Sequence, residues 1–390
     1  MSATATLRSF FKQTRTWAYF LWQIVQDFWG NLSGPLIAFP NHHCTVRRGR
    51  ELAQGGFSIV WEAHAVHRNN SNTLNTNRTY VLKQCNVTDR EYLRACQAEA
   101  AVHEALHHPN CMPLLGMTIV SSHSNQKTCF MLFPFFTKSL RDHVNQSLFS
   151  HSNSSINQWT EEILLRVFYG ILQGVQAMHQ AQYTHRDLKL ENVLLDISQK
   201  SNKITPILMD FGSAGPLYAP ASTRADLLNV TDQAAQHTTI TYRPPELLEG
   251  TLWPCEAHTR TLDYQKVDVW SCACMLFAMM YGASPVEWQN GKVVECTPLS
   301  ILNARITVTN HHSPFSTELH QLVASTLIQD PDQRPDLTQL IQQVESLLVQ
   351  EQGTVPHTHP SDCWWYSLNE HAYDDAEEDK DAISLLRSRV

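Results

Sequence analysis

Residues 183–212, reading YTHRDLKLENVLLDISQKSNKITPILMDFG, constrain this chain more than any other stretch. They set His185, Arg186, Asp187, Lys189 and Asn192 at short offsets, with Asp210-Phe211-Gly212 one predicted hairpin later. Two apolar, strand-like runs, 193–195 and 207–209, join the motifs. A lone tripeptide arises by chance, but two ordered motifs at this separation carry information. Their residue types suit phosphoryl transfer from a nucleoside triphosphate. In that chemistry Asp187 accepts or orients the proton of an attacking hydroxyl. Asp210 and Asn192 offer the hard oxygens that Mg2+ requires, and Lys189 offsets charge on the transferred phosphate. The plainer alternative, a polar loop beside two turn aspartates, leaves the full set of residue types unexplained.

Length and composition narrow the surroundings. A chain of 390 residues can bury a large core, and 43% hydrophobic with 17% charged residues is the balance of an ordinary globular protein. The net charge of -8 argues against a nucleic-acid partner recruited by a general basic field. Ten cysteines occur without C-x-x-C pairs, so free thiols in a reducing compartment are expected. The N-x-S/T sequons at Asn31, Asn77, Asn86 and Asn229 are read as unused.

The central stretch resembles the catalytic loop and DFG motif of protein kinases, and Lys189 is the residue expected of their serine/threonine class. The resemblance implies an α+β, two-lobed fold: a small β-rich lobe with one main helix and a larger, mostly helical lobe. It also implies ATP and Mg2+ as cofactors and proteins as substrates. On this reading the kinase domain spans 46–349, with the small lobe at 46–133, the hinge at 134–136 and the large lobe at 137–349. Ala53, Gly55 and Ser58 fall where the glycine loop carries its three glycines, with Gly56 and Phe57 between them and Val60 under the adenine. Lys83 matches the strand lysine that holds ATP phosphates. Glu99 falls on a helix predicted over 90–107, with Ala95, Val102 and Leu106 on its inner face, and is the expected ion-pair partner of Lys83. Phe133 stands at the gatekeeper position, and Phe135 and Phe136 at the adenine-binding hinge.

Further on, a helical stripe (Leu164, Val167, Phe168, Ile171, Val175) leads into the catalytic loop, and the polar stretch 145–158 before it reads as a surface loop. Thr239 stands where serine/threonine kinases bond the catalytic Asp and Lys. Pro244-Pro245-Glu246 replaces the usual Ala-Pro-Glu, and Arg334 is the expected partner of Glu246. Asp268 is expected to cap a buried central helix and to bond the catalytic loop. Thr238 and Thr241 are candidate phosphosites organised through Arg186. The competing expectation is activity without phosphorylation, with residues 231–237 forming a helical insertion. The Pro-Phe-Phe hinge, the GGFS glycine loop and the segment NVTDQAAQHTTITYRPPELLEG resemble the Numb-associated kinase family. Within that family they resemble the myristoylated and palmitoylated serine/threonine kinase type, which implies membrane-trafficking work near the Golgi.

The ends differ from the middle. Residues 1–45 form an apolar, aromatic segment in which Arg8, Lys12 and Arg15 precede WAYFLWQIVQDFW at 17–29. That run is shorter than the roughly 20 residues a membrane span needs. A helix packed on the domain, an interfacial membrane anchor and a cleaved leader remain open. Ser2 excludes N-myristoylation at that position. Residues 350–390 make an acidic, mobile-looking tail whose Trp364-Trp365-Tyr366 cluster docks on the domain or on a partner. A cytoplasmic, membrane-associated serine/threonine kinase is thus expected. The rivals are a pseudokinase scaffold, favoured only by Ala53 and Ser58, and a small-molecule kinase, which the 239–246 segment argues against.

Overall fold

The computed structural model describes residues 34–40, 44–55, 58–66, 74–121, 126–149, 159–198, 203–248, 261–289, 292–302, 314–352, 355, 358 and 360–366. The chain divides into two units: residues up to 100, 113–135 and 364 onward form the first, and 101–112 with 136–363 form the second.

The first unit is built on six antiparallel strands: β1 (Leu36–Phe39), β2 (Cys44–Gln54), β3 (Ser58–Ala65), β4 (Thr79–Val87), β5 (Gly116–Ser121) and β6 (Lys127–Pro134). Their order is β1-β2-β3-β4-β6-β5. Side chains alternate across a strand, so each face of the sheet takes every second residue. Tyr80 and Leu82 of β4 and Phe130 and Leu132 of β6 enter one face, where they pack with Ile37, Phe39, Val46 and Leu115. Lys83 and Cys85 share the other face of β4, the face toward helix α1 (Arg90–Ala105). The first unit thus begins before residue 46, because β1 pairs with β2 from Leu36↔Arg47 to Phe39↔Cys44. Trp364 and Trp365 also belong to it: the Trp364 ring lies 3.8 Å from the Arg78 guanidinium carbon, and Trp365 is buried. The aromatic cluster therefore docks on its own chain. The acidic run beyond residue 366, the amino-terminal residues 1–33 and the stretch 150–158 lie outside the described residues.

The inner face of α1 departs from expectation at one position. Ala95 is exposed, and its neighbour Cys96 is buried in its place together with Glu99 and Val102. Leu106 is buried but follows the helix, which ends at Ala105.

The second unit opens with β7 (Lys138–Ser139), α2 (Leu140–Phe149) and α3 (Glu161–Gln180). Residues 145–149, expected in a loop, complete α2. Helix α3 starts at Thr160, whose hydroxyl accepts the Ile163 N–H, and buries Leu164, Val167, Phe168, Ile171 and Val175. Next come β8 (Tyr183–Thr184), β9 (Val193–Ile197), β10 (Ile204–Leu208), β11 (Gly215–Pro216), β12 (Tyr218–Pro220), α4 (Arg224–His237), β13 (Thr261–Asp263) and α5 (Tyr264–Tyr281). β9 and β10 form the hairpin anticipated between the two motifs, in register from Val193↔Leu208 to Ile197↔Ile204. α5 is buried on every side from Val267 to Met280 and, apart from Asp268 and Ser271, is apolar there; it lies between α3 and α7 (Thr317–Thr326), which follows the short α6 (Pro298–Leu302). Its cap is Asp263, whose carboxylate accepts the Gln265 N–H at 2.9 Å. Asp268 sits in the second turn, one turn too late to cap. Helix α8 (Leu337–Gln352) closes the unit.

One buried ion pair ties the end of this unit to its middle. The Arg334 guanidinium meets Glu246 in a fork of 2.7 and 3.0 Å, and also donates to the carbonyls of Ile328, Lys266 and Gln329. Both side chains are almost fully buried. Breaking such a pair leaves an uncompensated charge, so Arg334→Met should lower stability by about 3–5 kcal/mol. Urea unfolding checks this; a loss below about 1 kcal/mol would show that the fork is dispensable.

Candidate active site

In the first unit, Lys83 donates to Glu99 Oε1 at 2.6 Å, and Glu99 is buried while Lys83 keeps partial exposure. The pairing follows from periodicity. Lys83 is on the α1-facing side of β4, and Glu99 is on the sheet-facing side of α1. The β2–β3 hairpin places Ala53 opposite Val60 and Gln54 opposite Ile59, and the Gly55 N–H donates to Ser58 O at 2.8 Å. A Cβ on Gly55 would meet only ordinary contacts, the nearest at 3.7 Å. Packing within the chain therefore does not demand glycine there. Gly56 and Phe57 lie outside the described residues. Phe133 is buried in β6 opposite Val81; Phe135 is half-buried, and Phe136, the first residue of the second unit's long segment, is buried.

The second unit assembles the central stretch. Both Asp187 oxygens are engaged. Oδ1 accepts the Thr239 N–H at 2.9 Å and the Thr239 hydroxyl at 2.6 Å; Oδ2 accepts Lys189 Nζ at 2.6 Å and Asn192 Nδ2 at 3.1 Å. Lys189 Nζ also donates to Thr239 Oγ1 at 2.9 Å. The Asn192 amide nitrogen is thus committed to Asp187, which leaves its carbonyl oxygen, a hard ligand, for a cation. The Met209 N–H donates to the Asn192 backbone carbonyl at 3.0 Å, which brings the residue before Asp210 against Asn192. Asp210 is exposed and left-handed at φ 63°. Two oxygen-bearing side chains fit Mg2+, which binds few protein ligands and completes its shell with phosphate and water. Among the described residues no cluster of three or more His, Cys, Asp or Glu forms a closed metal cage.

The loop is held from below by Asp268. Its fully buried carboxylate accepts the backbone N–H groups of His185 and Arg186 and the His179 Nε2–H, each at 2.9 Å. Arg186 is strained, with φ 67°, and these bonds fix it there. Its guanidinium donates to Pro216 O and Thr184 Oγ1 and lies 3.7 Å from the Tyr264 ring centroid. A Cβ on Gly215 would stand 2.4 Å from the carbon of that guanidinium, so any other residue there would have to displace Arg186.

Arg186 is therefore occupied away from the candidate phosphosites. In the unmodified chain it is Arg243 that holds Thr238, with Nε to Oγ1 at 2.6 Å and Nη2 to the carbonyl at 2.8 Å. Thr241 lies in a short 3-10 turn over Ile240–Tyr242. The helix expected at 231–237 begins earlier, at Arg224, where Thr223 and Asp226 form a reciprocal cap. Its Val230 and Ala234 pack against Leu247, Leu262 and Val267.

Three contributors escaped the sequence reading. Arg141 of α2 donates to Glu191 of the catalytic loop, to Gly282 O after α5 and to the Tyr242 hydroxyl. His179 orients Asp268. The His103 ring packs against Phe211 at a tilt of 44° with centroids 4.5 Å apart, and Phe211 meets the His185 ring edge-on at 5.7 Å. Of these, only His179 carried a usable signal, being a polar residue in line with an apolar helical stripe.

Burial pushes the Asp268 carboxyl up, but the His179 hydrogen bond and charge, His185 and the Arg186 N–H together hold it below the ordinary value. Its contribution to stability is thus present above the unfolded carboxylate range, roughly pH 3.9, and lost as pH falls through the lower folded value. Asp268→Asn should cost about 1–3 kcal/mol at neutral pH. The gap to the parent should close as urea titrations move below about pH 4; a gap independent of pH would contradict the charge-based account.

The protein kinase domain model matches residues 46–344. The serine/threonine-protein kinase 16 of Rattus norvegicus and that of Homo sapiens are each 31% identical over 300 residues, covering 76% of this chain and 88% of theirs. A probable serine/threonine-protein kinase of Dictyostelium discoideum is 28% identical over 325 residues, covering 83% of this chain and 26% of its own length. With the sheet, the hairpin between the two motifs and the Asp187 network in place, this chain belongs to the protein kinase family, as an ATP-dependent kinase of the serine/threonine class.

Proposed function

We propose that this kinase transfers the γ-phosphate of ATP to serine or threonine hydroxyls of protein substrates through Asp187, without prior phosphorylation of the 210–246 segment. The observation that carries the reading is the four-residue network of Asp187, Lys189, Asn192 and Thr239. Asp187 receives the proton of the attacking hydroxyl as its oxygen bonds to the γ-phosphorus and the bond to the bridging oxygen of ADP breaks. Lys189 offsets charge on the phosphoryl oxygens. Bound Mg2+ would neutralise phosphate charge, with Asn192 and Asp210 as its protein ligands. In the first unit Lys83, held by Glu99, would bind ATP phosphates. Gly55, having no side chain, would let a phosphate come close to the backbone, with Ala53, Gly56, Phe57, Ser58 and Val60 completing the nucleotide loop. Phe133, Phe135 and Phe136 would border the adenine.

The reading of activity without an upstream kinase rests on order already present. α4 is capped and packed, β12 pairs with β13, and Thr239 engages Asp187, all with an unmodified chain. Bacterially expressed protein, labelled ATP and Mg2+ test this. Phospho-Ser and phospho-Thr should form, and Asp187→Asn should lower the rate by at least about 100-fold. ATP binding without transfer in the parent would favour the pseudokinase scaffold or a required activator.

The family resemblance further supports work in the cytoplasm at membranes of the Golgi region, in membrane trafficking. The Trp-rich run at 17–29, with Arg8, Lys12 and Arg15 ahead of it, would supply the contact by lying in the membrane interface. Among the described residues no helix is long and apolar enough to cross a membrane. Deleting residues 16–30 should move the protein from the pelleted to the soluble fraction of a cell lysate; an unchanged partition would rule out this anchor.

A further inference from the structure

Three thiols meet in the first unit beside the Lys83–Glu99 pair. Cys85 of β4 and Cys129 of β6 are direct cross-strand partners, so their side chains share one face of the sheet. That face is the one carrying Lys83, two residues before Cys85. Cys96 of α1 precedes Glu99 by three residues, one turn along the same helix face. All three cysteines are buried, with 4%, 4% and 0% exposure for Cys85, Cys96 and Cys129. Cys96 faces both strand thiols closely enough to interact with them. The phosphoryl-transfer chemistry above uses none of them.

The arrangement differs from that of the chain's other buried thiols. Cys44 and Cys111 are pushed up to about 12 by burial alone, as inert core cysteines are. Cys96 is held below the ordinary thiol range by hydrogen bonds from Cys129 and then Cys85, with burial opposing and the Lys83 charge assisting. The same bonds, together with burial, push Cys85 and Cys129 up. One thiol is thus favoured as thiolate beside two that stay protonated, which is the pairing of an attacking and a resolving cysteine.

We infer that Cys96 is an oxidant-sensitive modification site that a hydroperoxide converts into a reversible disulfide with Cys85 or Cys129, tying α1 to the sheet. The Cys96 sulfur attacks the peroxide oxygen, the O–O bond breaks, and water or an alcohol leaves, giving Cys96 sulfenic acid. The neighbouring strand sulfur then attacks the Cys96 sulfur, the S–O bond breaks, and a second water leaves with the strand thiol's proton. Two thiols lose two electrons and two protons, and the hydroperoxide is reduced. With Cys85 the bond forms one helical turn from Glu99 and two strand residues from Lys83, joining the two elements that carry the ion pair; with Cys129 it ties α1 to β6, the strand paired with β4.

The test uses the full reduced chain, treated with hydrogen peroxide, blocked with N-ethylmaleimide in denaturant and digested without reductant. Trypsin and Glu-C together isolate Cys96 in residues 95–99, Cys85 in a peptide ending at Arg90 and Cys129 in 128–138. Mass spectrometry should find 95–99 linked to one of the other two, at a peroxide dose that leaves Cys44 and Cys111 alkylated. Dithiothreitol should reverse the link. Cys96→Ser and Cys96→Ala, both checked for parental melting when reduced, should lack it. In the oxidised parent, amide exchange across Arg90–Ala105 should slow at least threefold. Alkylation of Cys96 alongside Cys44, sulfinic acid without a link, a link confined to Cys85 and Cys129, or unchanged exchange would each overturn the inference. None of these readouts depends on phosphate transfer.

Discussion

A single buried carboxylate supports the chemistry of the second unit. Asp268 has no water to solvate it, so its charge is tolerable only because three donors converge on it. Two of those donors are consecutive backbone N–H groups, and satisfying both forces Arg186 into a left-handed conformation that its side chain alone would not choose. That bend sets the direction in which Asp187 leaves the loop. Arg186, fixed in turn by Pro216, Thr184 and Tyr264, links the bend to the segment that follows Asp210. The catalytic loop's shape is therefore a consequence of where one charge was buried.

The order of the segment after the DFG motif follows similar logic. Thr239 completes the Asp187 network, Arg243 gathers the backbone and hydroxyl of Thr238, and the Tyr242 carbonyl accepts the Ser271 hydroxyl. Arg141 reaches the same region from α2, joining Glu191, Tyr242 and Gly282 through one planar group with several donors. Each contact is modest alone. Because Tyr242 serves two of these contacts and most of the groups are at least partly shielded from water, losing one loosens its neighbours, which makes the segment's order cooperative.

Much of this was legible beforehand, and the exceptions have identifiable causes. The β9–β10 hairpin, α3 and the buried α5 were readable because strand and helix periodicities are strong local signals. The errors cluster where local signals are weak or equivocal. Asp263 and Asp268 are both acidic residues near the start of α5, and only backbone geometry shows that the first caps it. Ala95 and Cys96 are adjacent on α1, and a shift of one residue, about 100° of helix, exchanges outside for inside. The 145–158 stretch reads as polar throughout, yet its first five residues finish α2, whose buried Val144 and Leu140 lie upstream.

By itself the sequence determined the residue types of the active site and their order. The chemistry needs particular side chains, and those side chains are spelled out in two short motifs. It also determined the alternation that sends Lys83 to one face of β4 and Leu82 to the other, because that alternation is a property of the strand backbone. Only tertiary structure decided which distant groups complete the network: Arg243 rather than Arg186 at Thr238, Arg141 at the catalytic loop, and Cys96 among the strand thiols. Those partners are brought together by the packing of whole helices and sheets, where one buried charge or thiol takes whatever donor the neighbouring element presents. No local pattern encodes that choice.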